Sequence, residues 1–199
     1  EKILDSLIDF TRRGSLTLKK GDPNDIIENV LRVYETTIMD KGIKLETSLG
    51  SEVGEILLDS SRFEQVVRNL ISNAIEASSP GQVIKIETGV SIPSGKAYET
   101  GGLQSETYFE MKIRNFGQSI PPERLDKIFS PFFTTKAYGA GIGLTISKKI
   151  VEDHGGSISA KSDEEGTVFT VWLPVPQPEP LKEASQQAVQ IDKSGNSAT

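Results

Sequence analysis

"RNLISNAIEAS", residues 68–78, sets two asparagines into a stretch that otherwise has the spacing of a buried helix. Phe63, Val66, Val67, Leu70, Ile71, Ala74 and Ile75 fall at the i, i+3, i+4, i+7 positions of one apolar face, which predicts a helix packed on a sheet. Asn69, Asn73 and Glu76 fall at i, i+4 and i+7 and form a separate polar line along one edge. Lys or Glu would serve a solvated edge better, being stronger helix formers than Asn. An Asn amide offers instead a neutral carbonyl oxygen beside an N–H donor, a pair that can face a divalent cation and phosphate oxygens together. From this helix alone, two tolerated surface asparagines explain the pattern equally well.

Working outward, the chain alternates between helix and strand signals. Leu4, Leu7, Ile8 and Thr11 have helical spacing that ends at Gly14, so residues 1–20 read as the end of a longer helix plus a linker. Asp22 before Pro23 predicts an N-cap for a helix reaching about Lys41. "IKLETSL", "EILL", "QVIKIETGV" and "TYFEMKIRN" read as strands, the last two joined by a Gly-, Pro- and Ser-rich surface excursion. "GIGLTISKKIVEDHGG" reads as a helix stopped by Gly155 and Gly156, followed by an antiparallel pair, "GSISAKS" and "GTVFTVWLP". Residues 175–199 are polar, without a sustained apolar period, and read as a disordered tail or linker.

Composition bounds the function. A chain of 199 residues holds one ordinary domain with appendages. The net charge of -6 argues against a general nucleic-acid binder, which needs clustered Lys and Arg, so any phosphate ligand must be held locally. The absence of cysteine excludes a disulfide scaffold, a thiolate metal site and a cysteine nucleophile, and favours an intracellular address. No apolar run reaches the roughly 18 residues needed to span a bilayer.

Two further segments join the asparagine helix. "YGAGIGL" places Gly139, Gly141 and Gly143 just before a helix, where backbone N–H groups can close on an anion, although glycines there also serve as a plain flexible connection. "IRNFGQSIPPE" leaves an apolar strand through Asn115 and Gly117, setting a polar side chain at the mouth of the same sheet. Taken in this order, the segments resemble the catalytic and ATP-binding domain of bacterial sensor histidine kinases, in the Bergerat-fold ATPase superfamily. "RFEQVVRNLISNAIEASSPG" is similar to that family's asparagine box, "IRNFGQSIPPE" to its first glycine box, "IFSPFFTTK" to its phenylalanine box and "GAGIGLTISKKIVEDHGG" to its second glycine box.

The resemblance covers about residues 1–174 and implies a two-layer α/β sandwich of the α+β class: a mixed, mostly antiparallel sheet with helices on one face. It implies residues 1–20 as the exit of a dimerisation helix, 21–174 as the catalytic domain, and ATP with Mg²⁺ as ligands. Asn73 would ligate the metal, and Asn69 would contact phosphate or metal-bound water. Asn115, followed by Gly117, would face adenine, with Thr167 approaching the base from the last hairpin. Gly139, Ala140, Gly141, Gly143 and Leu144 would form the base of a lid over the phosphates, Lys136 would balance γ-phosphate charge, and Phe132 and Phe133 would pack the lid's root or simply the core. The implied partners are a dimerisation domain, a second copy of the full protein and a response regulator receiver domain, in the cytoplasm or on the cytoplasmic side of a membrane-anchored sensor.

Two positions depart from the family pattern. Asn115 and Ser119 stand where Asp and Gly are usual. The amide trades a charge-assisted bond to adenine for a neutral one, at about 1 kcal/mol. Ser119 would cost about 1 kcal/mol more if the backbone kept a positive φ there. The superfamily's hydrolytic members place a water-activating glutamate one turn before the metal-binding asparagine, and that position here is Asn69, with Glu64 offset around the helix. The only histidine, His154, ends a helix before Gly155, where capping or dipole stabilisation suits it better than accepting phosphate. The reading is therefore a kinase catalytic domain whose acceptor histidine lies on another segment. A degenerate regulatory nucleotide-binding module is the alternative, and a gyrase-type ATPase comes third.

Overall fold

The computed structural model describes residues 16–92, 107–135 and 141–175. In chain order these form β1 (Lys19–Gly21), α1 (Pro23–Asp40), β2 (Lys44–Leu49), β3 (Ile56–Leu58), α2 (Ser60–Ala77), β4 (Val83–Ser91), β5 (Tyr108–Asn115), a single-turn α3 (Pro122–Leu125), α4 (Gly143–Asp153), β6 (Ser157–Asp163) and β7 (Gly166–Pro174). The main sheet has the order β2-β4-β5-β7-β6; only β2 and β4 run parallel. This is the mixed, mostly antiparallel sheet that the family resemblance implies. A separate two-stranded pair, β1 with β3, takes in Lys19 and Lys20, which the sequence places in the linker. The helical spacing at Leu4 to Thr11 and the tail beyond residue 175 lie outside the described residues. Among the described residues no helix is long and apolar enough to cross a membrane.

Strand alternation puts alternate residues on the helix side, and the register aligns them into rows: Ile86, Ile113, Phe169 and Ala160 form one, Thr88, Met111, Val171 and Ile158 the next. α2 lies on those rows with the predicted face, Phe63, Val66, Val67, Leu70, Ile71, Ala74 and Ile75, entirely buried. Phe63 meets Phe109 edge to face with ring centroids 5.9 Å apart. Each such side chain contributes about 1.5–3 kcal/mol on leaving water. α1 and α4 pack on either side of α2, so the asparagine edge can look only along the helix layer. On the opposite sheet face, Trp172 Nε1 donates to Glu110 Oε1 at 2.9 Å and Lys112 Nζ to Glu110 Oε2 at 2.6 Å.

The helix termini carry the long-range ties. Asp22 caps α1 as predicted, its Oδ1 accepting from Asn24 N–H at 2.8 Å. Asp59 caps α2: Oδ1 accepts from Arg62 N–H at 3.2 Å and Oδ2 from Thr17 N–H at 3.0 Å. His154 caps α4 and is 8% exposed. Its Nε2 accepts the Asp59 N–H at 2.9 Å, which fixes the proton on Nδ1, 2.7 Å from the Ile150 carbonyl that it serves as donor. The expected capping role holds, and the bond to a residue 95 positions earlier is additional.

Burial acts to raise the Asp59 carboxyl, but the bonds from Thr17 and Arg62 N–H, with the charges of Arg62 and of His154 when protonated, outweigh it and hold the group below the ordinary carboxylate range. A depressed carboxylate stabilises the fold above its unfolded value of about 3.9 and loses that contribution as pH falls through the lower folded value. Asp59→Ala is expected to cost about 1–2 kcal/mol at neutral pH. Denaturant melts at pH 7 and pH 3 check this: the difference between native and variant should shrink at pH 3, and an equal difference at both would contradict the assignment.

Candidate functional site

α2 presents Asn69 and Asn73 half-buried on one edge, and Glu76 exposed beyond them. The Asn69 amide Nδ2 donates to the Gly143 carbonyl at 2.6 Å and lies 3.2 Å from Ser147 Oγ. The asparagine line is thereby clasped to the first turn of α4. Gly143 makes the clasp possible: a Cβ there would stand 2.8 Å from Asn69 Oδ1. Ser147, wholly buried, is the partner that sequence reading missed, because its place beside Asn69 depends on how α4 docks.

The start of α4 is open to an anion in one respect. Its N-cap is Ile142, with no side-chain capping bond, so the orphan N–H groups of the first turn receive nothing from that side chain. Gly141 stands at φ +66°, and a Cβ on it would lie 2.6 Å from the Phe132 carbonyl carbon. Phe132 itself has φ +64° and is 66% exposed, whereas Phe133 is half-buried and packs on the core. Leu144 also packs on the core. Thr145 Oγ1 donates to the Phe129 carbonyl at 3.1 Å, tying α4 to the aromatic segment. Lys136, Gly139 and Ala140 lie outside the described residues.

At the end of β5, Asn115 is 2% exposed and shares a helix-facing row with Ile84 and Thr167. Two glycines let other backbones close around it. A Cβ on Gly117 would fall on the Ala77 carbonyl at the end of α2, and one on Gly166, at φ +136°, would fall on the Asn115 carbonyl. Gln82 Nε2 donates to the Phe116 carbonyl at 2.8 Å and pins the loop. Ser119, expected to be strained if it kept a glycine conformation, is exposed and not in the positive-φ region, so that cost does not arise. The bend here is made by close packing of Gly117, not by left-handed backbone.

Among the described residues no group of three or more His, Cys, Asp or Glu side chains could hold a metal ion. The donor set on α2 is amide oxygen, which suits a hard cation that takes most of its shell from phosphate and water, as Mg²⁺ does. Glu64 is paired with Arg68, Oε1 to Nη2 at 2.6 Å and to Nε at 2.7 Å.

Residues 58–177 match the family described as histidine kinase-, DNA gyrase B-, and HSP90-like ATPase. The chain is 34% identical over 175 residues to the sensor histidine kinase ZraS of Salmonella typhimurium, covering 87% of this chain and 35% of that protein. It is 34% identical over 173 residues to the sensor kinase CckA of Brucella abortus, covering 84% and 18% respectively. It therefore spans about a third or less of these relatives. Among solved structures, the catalytic domain of histidine kinase ThkA in a nucleotide-free form superposes with a TM-score of 0.67 at 34% identity, covering 80% of this chain and 97% of that one. ThkA in complex with the response regulator protein TrrA gives 0.70 at 29% identity, covering 88% and 47%.

Gly117→Ala is expected to destabilise the protein by about 1–3 kcal/mol, the usual range for overpacking. Because the cause is the Ala77 carbonyl, the loss should already be present without nucleotide; a melting temperature that falls only when nucleotide is present would contradict it.

Proposed function

This chain belongs to the histidine kinase-, DNA gyrase B-, and HSP90-like ATPase family, within its sensor histidine kinases, and on that premise we propose that residues 21–174 are the ATP-binding catalytic domain of a two-component kinase. The observation that carries the proposal is the clasp of Asn69 to Gly143, which sets the asparagine edge of α2 against the uncapped start of α4. In this reading Asn73 gives its amide oxygen to Mg²⁺, and Asn69 holds the α4 terminus while its oxygen faces phosphate or metal-bound water. The N–H groups of Gly139, Ala140, Gly141, Gly143 and Leu144 receive phosphate oxygens, Lys136 balances their charge, and Asn115, Gly117 and Thr167 hold the base.

ATP supplies the phosphoryl group; the residues of this chain supply position and field. Phosphoryl transfer needs little covalent help, so fixing the leaving group in line with its acceptor is most of the catalysis. The acceptor comes from elsewhere. His154, the chain's single histidine, is buried with both ring nitrogens engaged in structural bonds. A dimerisation helix pair preceding this domain presents the acceptor histidine, the full protein works as a homodimer in the cytoplasm, and a response regulator receiver domain takes the phosphoryl group onward. Hydrolysis is the weaker use of the site, since Asn69 occupies the place of the water-activating carboxylate and Glu64 is held by Arg68.

Two measurements check the proposal. Asn73→Ala should weaken Mg·ATP binding in calorimetry by at least about tenfold, or 1.4 kcal/mol, with an unchanged far-ultraviolet spectrum; unchanged affinity in a folded variant would remove the metal assignment. Incubated alone with γ-labelled ATP, the chain should accumulate no acid-labile phosphate, and a matching dimerisation helix pair added in trans should become labelled. Stoichiometric labelling at His154 would contradict its structural role, and no transfer to the helix pair despite ATP binding would leave the regulatory-module reading.

A further inference from the structure

The Asn115 Nδ2 amide is buried and has no hydrogen-bond partner among the described residues. Native proteins leave few such groups, and one at a binding site signals an acceptor brought by the ligand. Its surroundings are built closely: a Cβ on Gly117 would stand 3.3 Å from Nδ2, and Thr167, 3% exposed, is its direct neighbour across the β5–β7 pair.

The hydrogen-bond inventory fixes what Thr167 can offer. Ser162 Oγ accepts from Ile120 N–H at 2.7 Å and gives its one proton to the Gly166 carbonyl at 3.0 Å. In its 2.8 Å bond with Thr167 Oγ1, Ser162 is therefore the acceptor, and Thr167 spends its own proton there. Thr167 keeps only lone pairs for anything else. The end of the sheet thus presents a donor on Asn115 beside an acceptor on Thr167.

We infer that this donor and acceptor pair receives the six-membered edge of either adenine or guanine, so that the domain binds both purine nucleotides with little preference and Asn115 is the residue that sets it. The inference rests on the nucleotide site proposed above. Adenine presents an amino donor next to a ring-nitrogen acceptor, and guanine a carbonyl acceptor next to a ring N–H; each is met by the same pair taken in opposite order. A carboxylate at position 115 could only accept, welcoming the adenine amino group and repelling the guanine carbonyl. The amide removes that repulsion and adds a donor that only an acceptor on the base can satisfy.

Calorimetric titration of the whole chain with the non-hydrolysable probes Mg·AMPPNP and Mg·GMPPNP tests this. The native chain is expected to show dissociation constants within about tenfold of each other, and Asn115→Asp to shift the ratio toward adenine by about tenfold or more, chiefly by weakening Mg·GMPPNP. A native preference for Mg·AMPPNP well above tenfold, or a folded Asn115→Asp protein that binds Mg·GMPPNP as the native chain does, would overturn the role of Asn115 while leaving the nucleotide site standing. Binding of neither probe would overturn both. The native ratio decides the question even if the variant does not fold.

Discussion

The constraint on which the rest of the structure depends is the fit of α2 to the sheet. Seven apolar side chains of this helix must all leave water on one face, and 3.6 residues per turn then dictates where every other residue of the helix points. Asn69 and Asn73 are left on the edge that meets α4, and no rotation of the helix could move them without exposing Phe63 or Leu70. The site is therefore a by-product of core packing, placed with the precision of the core rather than that of a loop. Asp59 and His154 fix the helix at its start, and the Ala77 carbonyl against Gly117 fixes its end against the loop after β5.

Two of the glycines at the proposed site act here by what they lack. Gly143 has no Cβ to displace Asn69, and Gly117 none to displace the end of α2. Each brings a second element within contact of the asparagine helix, so the polar edge of α2 gains neighbours from α4 and from β5 at its two ends. The same closeness isolates Asn115 from water and leaves its amide with unmet bonding capacity, which is how a substitution in one side chain becomes a statement about ligand chemistry.

Much of this was legible in the sequence where a local rule governs. The period of α2, the Asp22 cap, the alternation of β4 and β5 and the glycine stop after His154 are all set by neighbours a few positions away, and the structure reproduces them. Three-residue β1 was missed because "KKG" carries no strand signal and is held only by pairing with β3, nearly forty positions later. The partners of Asn69 and His154 were likewise invisible, since Ser147 and Asp59 reach them only through tertiary docking. The cost at Ser119 hangs on a backbone conformation that residue types alone do not set, and here the backbone is not at positive φ. That Phe132 is exposed and at positive φ while its neighbour Phe133 packs on the core is announced by no pattern of residue types.

The central claim is that the asparagine edge of α2 and the end of β5 face one nucleotide. Side-chain amide resonances of ¹⁵N-labelled asparagine, followed as Mg·AMPPNP is added, test it most directly. The expected result is that the amides of Asn73 and Asn115 shift with a common saturation curve, while that of Asn24, bound to the Gly50 carbonyl near the β1 end of the molecule, does not move. Saturable binding that leaves Asn73 and Asn115 unperturbed would place the nucleotide elsewhere and contradict the claim.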